Sequence, residues 1–316
     1  MLEGNTQYYG MVILVETTKL YVDTAYDLVE ERLVRGGYVE LIDILGTDIT
    51  PAQTARLSYA NAEKRNVRDD EKLLKYLWVN QHTSPFEFVE VVFKIRLPIF
   101  VARQFDRHRT ASQNQMSFRY SRAINLAWVP DCFRKQGKLN KQGSDKCIES
   151  DEAFDIYLNS IKSSFERYQR LLDMGISREQ ARSVLNFSMY TEVAWKQDLK
   201  NLFHLLNLRI DRHAQMETRK YAVAMLMLLE NKLPILTGLF KDTTLSSVTL
   251  TLDELEAMIA KANGAEVPTF SSSKSRDKEL KDIYMRVSES KDITSASVVE
   301  YEKIKRDLID LNERNI

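Results

Sequence analysis

The chain has 316 residues, 44% of them hydrophobic, with 45 Lys+Arg balanced by 45 Asp+Glu. That apolar content suffices for one large domain or a domain with appendages. Zero formal charge argues against a protein that coats nucleic acid non-specifically.

In chain order, the opening MLEGNTQYYG lacks a basic segment and a long apolar run, so no secretory leader is expected. Residues 1–35 read as a lead-in, with MVILV at 11–15 as a strand and DTAYDLVEERLVRGG as a helix stopped by Gly36 and Gly37. YVELIDILG from Tyr38 is a β-rich run ended by glycine. DDEKLLKYLWVNQ spaces Leu73, Leu74, Leu77 and Trp78 as a helix does. In FVEVVFKIRLP, Phe93, Ile95 and Leu97 alternate with Lys94 and Arg96, which predicts a half-buried strand ended by Pro98. IFVARQF reads as a helix, and INLAWVP as a further strand.

Residues 131–150 are polar and basic and read as a surface loop or insertion. Cys132 and Cys147 lie there without CxxC spacing, so neither a disulfide framework nor a structural zinc site is expected, and a reducing cytoplasm fits. A single bridge between these two stays open. Helical pattern returns in EAFDIYLNSIKSSFERYQRLLDMG, up to Gly175. The next segment, SREQARSVLNFSMYTEVAW, begins with the capping pattern Ser177-x-x-Gln180. LKNLFHLLNLRIDRHAQMETRKYAVAMLMLLENKL forms the longest helical region. Its apolar run from Ala222 falls far short of the ~20 residues that span a bilayer, so no membrane partner is expected. After about residue 242 the chain becomes Ser/Thr-rich around short helices, ends in an amphipathic helix, and residues 246–316 read as an accessory tail.

Residues 106–122 hold Arg107, His108, Arg109, Arg119 and Arg122, with three serines, two glutamines and no lysine. Arginine presents a planar fork that grips phosphate or carboxylate bidentately. Arginine without lysine therefore suggests shaped anion recognition, against the plain alternative of a surface loop paired with nearby acids. A rival is an RNA-binding arginine segment, which net neutrality disfavours. The four histidines, His82, His108, His204 and His213, lack metal-ligand spacing. Arg209 and His213, four residues apart, would share a helix face, whereas His204 and Arg209 would diverge unless the helix breaks near Asn207. Neither a dinucleotide fingerprint nor a P-loop is present, nor is HExxH or GxSxG.

RHRTASQNQMSFRY, residues 107–120, fits R-H-R-x-x-S-x-N-x-x-S-x-R-Y and resembles the signature of the flavin-dependent thymidylate synthases, the ThyX family. GYVELIDILGTDITPAQTARLSY, HTSPFE, PIFVARQFDRHR and NLFHLLNLRIDRHAQMETRKYA resemble further segments of that family, in order, over residues 36–240. The resemblance implies an α+β fold, a twisted and mainly antiparallel sheet using strands near 38, 88 and 124 and covered by helices. It implies a catalytic domain over 36–245 and a homotetramer with active sites between subunits. The implied reaction converts dUMP to dTMP, with 5,10-methylenetetrahydrofolate giving the methylene and FADH2, reduced by NADPH, giving the hydride. No stable nucleic-acid partner is implied. UMP methylation or hydroxymethylation is the alternative within the same chemistry.

Carried over by the same resemblance, Arg107, His108 and Arg109 contact the flavin, and Arg107 also lies near the nucleotide. His82, Ser84 and Glu87 match the flavin and folate side, with Ser84 standing for a threonine. Gln104, Gln115, Ser117, Phe118 and Arg119 match positions that hold dUMP, and Gln115 also approaches the flavin. Arg182 reaches the nucleotide from another subunit. Arg209 binds the uracil and favours its ionised form, so Arg209 and Ser117 are the expected catalytic residues. His204 and His213 match flavin-contacting positions. Asp198 and Lys200 replace the asparagine and arginine that members often present to FAD, and Phe118 is bulky where a small or polar residue is common.

Overall fold

A computed structural model describes residues 18–58, 67–137, 143–288 and 295–314. The expected strand at 11–15 lies outside them. The chain runs through β1 (Lys19–Tyr21), β2 (Thr24–Asp27), β3 (Arg32–Arg35) and β4 (Tyr38–Leu45), then helices α1 (Thr50–Arg56) and α2 (Val67–Val79). A 3-10 turn, Ser84–Phe88, leads to β5 (Glu90–Pro98), α3 (Ile99–Phe105), β6 (Ser112–Gln115) and β7 (Leu126–Trp128). Next come β8 (Phe133–Gln136), β9 (Ser144–Ile148), α4 (Asp151–Asp173), α5 (Arg178–Ala181) and β10 (Tyr190–Asp198). The helices α6 (Leu199–Ile210), α7 (Met216–Glu230), α8 (Pro234–Phe240), α9 (Leu252–Ala262), α10 (Lys274–Ser288) and α11 (Ala296–Glu313) complete it. None is long and apolar enough to cross a membrane.

The main sheet has the order β1-β4-β5-β10-β6, with every neighbouring pair antiparallel. In β5, Val91, Phe93, Ile95 and Leu97 turn inward while Lys94 stays exposed, as the two-residue period requires. β10, which lies between β5 and β6, follows the same rule with Val193 and Trp195 inward. The segment opened by Ser177 thus holds only one short helix: the Ser177 side chain makes no cap bond, and the chain turns into the sheet. The strand expected near 124 is β7, which belongs to a second sheet, β3-β2-β7.

Two expectations are overturned. DTAYDLVEERLVRGG is the β2–β3 hairpin instead of a helix. Asp27 explains it: its Oδ1 accepts the N–H groups of Val29 and Glu30 at 2.9 and 3.0 Å, which turns the chain back, and Glu31 at φ 52° completes the reversal. The long helical region is two helices. Asp211 leaves the helical conformation at ψ 140° and its carboxylate accepts the His213 N–H at 2.8 Å. Asn207 lies inside unbroken α6, while His213 sits in the loop beyond, so Arg209 and His213 do not share a helix face. Within 131–150 the chain forms the β8–β9 hairpin, and the single bridge left open by the sequence is present: a disulfide joins Cys132 to Cys147 with Cα atoms 5.7 Å apart. The hairpin register sets Arg134 opposite Cys147, which brings the distant cysteines together.

The core lies between the main sheet and helices α2, α6, α7, α8 and α11. α7 is buried almost continuously from Tyr221 to Leu229. A second cluster gathers Phe118, Phe165, Tyr168 and Met189 around α4. The chain's two flanks join the same body. Buried Asp23 accepts from Gly37 N–H at 2.6 Å, Tyr190 Oη at 2.6 Å and Tyr221 Oη at 2.8 Å, tying the first strands to β10 and α7. At the other end, α11 sends Tyr301, Ile304 and Leu308 into the main core, and Tyr301 and Lys305 both bond to Glu230.

Candidate functional site

The arginine-rich stretch leaves α3, enters β6 as the edge strand beside β10, and ends in a turned loop after Gln115. α6, which directly follows β10, carries Lys200, His204 and Arg209 along its length. Arg209 donates from Nε to His108 Nε2 at 2.9 Å and from Nη2 to the Gln104 carbonyl at 3.1 Å. The His108 and His204 rings meet edge to face at 6.4 Å. His108 therefore joins His204 and Arg209, the two positions that helical spacing alone sets apart. Gln104 is tied in turn to Gln215 through their side-chain amides.

Burial, and then the charge of Arg209 and the proximity of His204, lower the His108 pKa from 6.5 to about 4. The ring is neutral near pH 7. Because Nε2 accepts from a guanidinium, the proton of that neutral ring sits on Nδ1. Burial also lowers the Arg209 pKa, and its Nη1 has no hydrogen-bond partner among the described residues.

Arg107 and Arg109 are exposed and form no ion pair with any described residue. Arg182 is likewise exposed and unpaired among the described residues. Arg119 pairs with Glu179 at 2.7 Å, and Arg178 donates to the Tyr120 carbonyl at 3.0 Å, so the signature loop is latched to α5. The Ser117 Oγ accepts the Arg119 N–H at 3.3 Å. Gln115 donates to Thr191 Oγ1 at 3.1 Å. Phe118, only 7% exposed, packs in the α4 cluster.

A second group lies at the start of α6. Lys200 Nζ stands 3.5 Å from Glu87 on the Ser84–Phe88 turn, and Asp198 caps α6 by accepting from Asn201 N at 2.9 Å. His82 contacts Tyr76 edge to face at 6.1 Å, and both His82 and Ser84 are exposed. His213 bonds to Asp211 through its ring at 2.7 Å. The structure thus gathers Gln104, His108, His204 and Arg209 into one network, with Gln215 joined to it. Gln215 lies within NLFHLLNLRIDRHAQMETRKYA, but no pattern in the sequence pairs it with Gln104. Uncommitted guanidinium forks beside a neutral imidazole form a donor set suited to phosphorylated, ring-bearing ligands.

The family model described as "Thymidylate synthase complementing protein" matches residues 40–235. The flavin-dependent thymidylate synthase of Thermus thermophilus is 43% identical over 222 residues, covering 70% of this chain and 82% of the relative. That of Wolbachia pipientis wMel is 37% identical over 260 residues, covering 80% and 91%. Among solved structures, the UMP/dUMP methylase PolB from Streptomyces cacaoi bound with 5-Br dUMP superposes with a TM-score of 0.62 at 32% identity, covering 66% of this chain and 96% of that chain. The same methylase bound with 5-Br UMP gives a TM-score of 0.59, covering 66% and 95%.

Proposed function

Because the chain belongs to the family of flavin-dependent thymidylate synthases, we propose that it methylates dUMP to dTMP with methylenetetrahydrofolate as the one-carbon donor. A bound FAD, reduced by NADPH, supplies the hydride. The proposal includes a cytoplasmic homotetramer whose active sites form between subunits.

The observation that carries it is Arg209, held by His108 and Gln104 with Nη1 left over. A fixed guanidinium beside the pyrimidine stabilises negative charge developing on the ring, and its fixed placement avoids reorganisation during the reaction. His108 serves it by staying neutral: a protonated ring has no lone pair to offer Nε–H.

Exposed Arg107 and Arg109 fit the phosphates of the dinucleotide, as their lack of carboxylate partners among the described residues supports. Arg119, Gln115 and Ser117 with its backbone hold the dUMP phosphate side. Arg119 can leave Glu179 at little cost, since both side chains are more than half exposed. Two features support assembly. Arg182 is free to reach a neighbour's nucleotide, and the four residues of β6 leave an exposed sheet edge. His82, Ser84, Glu87, Asp198, Lys200, His204 and His213 line the flavin and folate side in this proposal.

The test is tritium release from dUMP labelled at carbon 5, with FAD, NADPH and methylenetetrahydrofolate, and Arg209→Ala as control. Release coupled to dTMP, and lost in the control, is expected. Bound flavin without release sinks the dUMP assignment. UMP is the second substrate to test, because the methylase that superposes on this chain was solved with 5-Br UMP as well.

A further inference from the structure

The segment beyond the family match is wired to the site by charged side chains. Residues 211–215, between α6 and α7, form a mostly exposed loop with little burial of its own. Such loops take their order from their anchors. Gln215 bonds to Gln104, whose carbonyl holds Arg209, so the loop's position is felt at the guanidinium. At its far end the Gln215 carbonyl accepts the Arg219 N–H at 3.0 Å, in the first turn of α7.

Both arginines beside this loop are held from the C-terminal segment. Arg219 pairs with Glu300 of α11, with side chains only 12% and 18% exposed. Arg212, within the loop, pairs with Glu279 of α10 at 3.4 Å. Glu279 is itself fixed by Arg276, at 3.1 Å, and Arg276 by Glu254 of α9, at 3.2 Å. Residues 254, 279 and 300 all lie beyond the matched range of 40–235.

We propose that the C-terminal segment braces the active-site loop, with Glu279 and Glu300 acting as positioning residues that hold Arg212 and Arg219 and, through Gln215 and Gln104, aim Arg209. The inference rests on Arg209 being the residue that meets the substrate. The Glu300 pair dominates, because an ion pair shielded from water is screened less than an exposed one. The Glu279 pair, 42% and 27% exposed, adds a smaller share.

The test uses the full-length protein and two readouts: hydrogen exchange of amides 212–219, and kcat/KM for the nucleotide. Glu300→Gln is expected to speed exchange about tenfold and to lower kcat/KM by a similar factor, because small misplacements of a reacting group are costly in rate. Arg212→Gln and Glu279→Gln should each act about threefold, and the double variant should be no worse than either single one, as a shared pair requires. Parental exchange in all variants overturns the brace. Faster exchange with parental kcat/KM overturns the positioning role. If Glu300→Gln fails to fold, the Arg212/Glu279 cycle decides alone. Faster exchange in variants of a parent that releases no tritium assigns the failure to the proposed reaction, and the brace itself stands.

Discussion

Arg209 donates its Nε–H to Nε2 of His108 at 2.9 Å, joining the end of α6 to the arginine-rich stretch across 101 residues of chain. The bond aims a cation with an imidazole that must stay neutral. Arg209→Ala is expected to cut kcat by ~10²–10³, the size of a lost electrostatic stabiliser. His108→Ala should cost roughly tenfold, the worth of one hydrogen bond to a charged group. His108→Gln, which keeps an acceptor, should recover part of it. Steady-state kinetics of the three variants check the order.

The titration of His108 gives a second test. Its folded pKa of about 4 lies below the ordinary 6.5, so between those values the unfolded chain binds more protons than the fold. This residue therefore leaves stability intact above pH 6.5 and removes it as pH falls towards 4. An NMR titration should show the His108 ring unchanged through pH 6.5 and moving near 4, and a midpoint near 6.5 would contradict its buried setting beside the Arg209 guanidinium.

Arg119 is paired with Glu179 at 2.7 Å, an exposed pair of small net worth. Arg119→Ala should weaken dUMP binding by ~1.5–3 kcal/mol, the value of a charge-assisted bond. Glu179→Gln should leave binding equal or tighter, because it frees the guanidinium. Calorimetric titration of both variants measures the contrast, and unchanged affinity in Arg119→Ala would remove Arg119 from the phosphate site.

Asp23 is the buried acceptor for Tyr190, Tyr221 and Gly37 N–H, and burial raises its pKa. Asp23→Ala leaves these donors unpartnered and should cost ~3–5 kcal/mol in urea unfolding, at about 1–3 kcal/mol for each stranded group with some relaxation. Gly37→Ala should also destabilise, by ~1–3 kcal/mol or more. Its new Cβ would stand 1.7 Å from Tyr221 Oη and 2.8 Å from the Arg96 carbonyl.

Ile304 of α11 is 1% exposed in the main core. Ile304→Ala should therefore cost ~2–5 kcal/mol and shift one cooperative transition of the whole protein. A separate early transition, with the rest of the curve unmoved, would show instead that the C-terminal segment folds apart.

Some features of the fold can be read locally because their cause is local. The alternation in β5 and the helical spacing in α2 follow from one strand or helix burying one face, and both elements form where the pattern places them. The β2–β3 segment misleads for the opposite reason. Its apolar residues fit a helical period, while the deciding group is one carboxylate, Asp27, capturing two N–H groups ahead of it. Asp211 breaks the later helical region by the same device. β10 is hidden behind a capping pattern that the fold never uses, and only its pairing with β5 and β6 makes it central.

Residue types and their order establish the chemistry available: arginines grouped without lysine, no metal-ligand spacing, no P-loop, and ordered motifs that resemble one enzyme family. Those are matters of residue type and order along the chain. Which of these groups touch follows from the folded arrangement: His108 on Arg209, Gln215 on Gln104, Cys147 on Cys132, and Glu300 on Arg219. Such contacts join residues 15 to more than 100 positions apart. Local propensity carries no record of them, since they form only when sheet register and helix packing bring the partners within bonding distance.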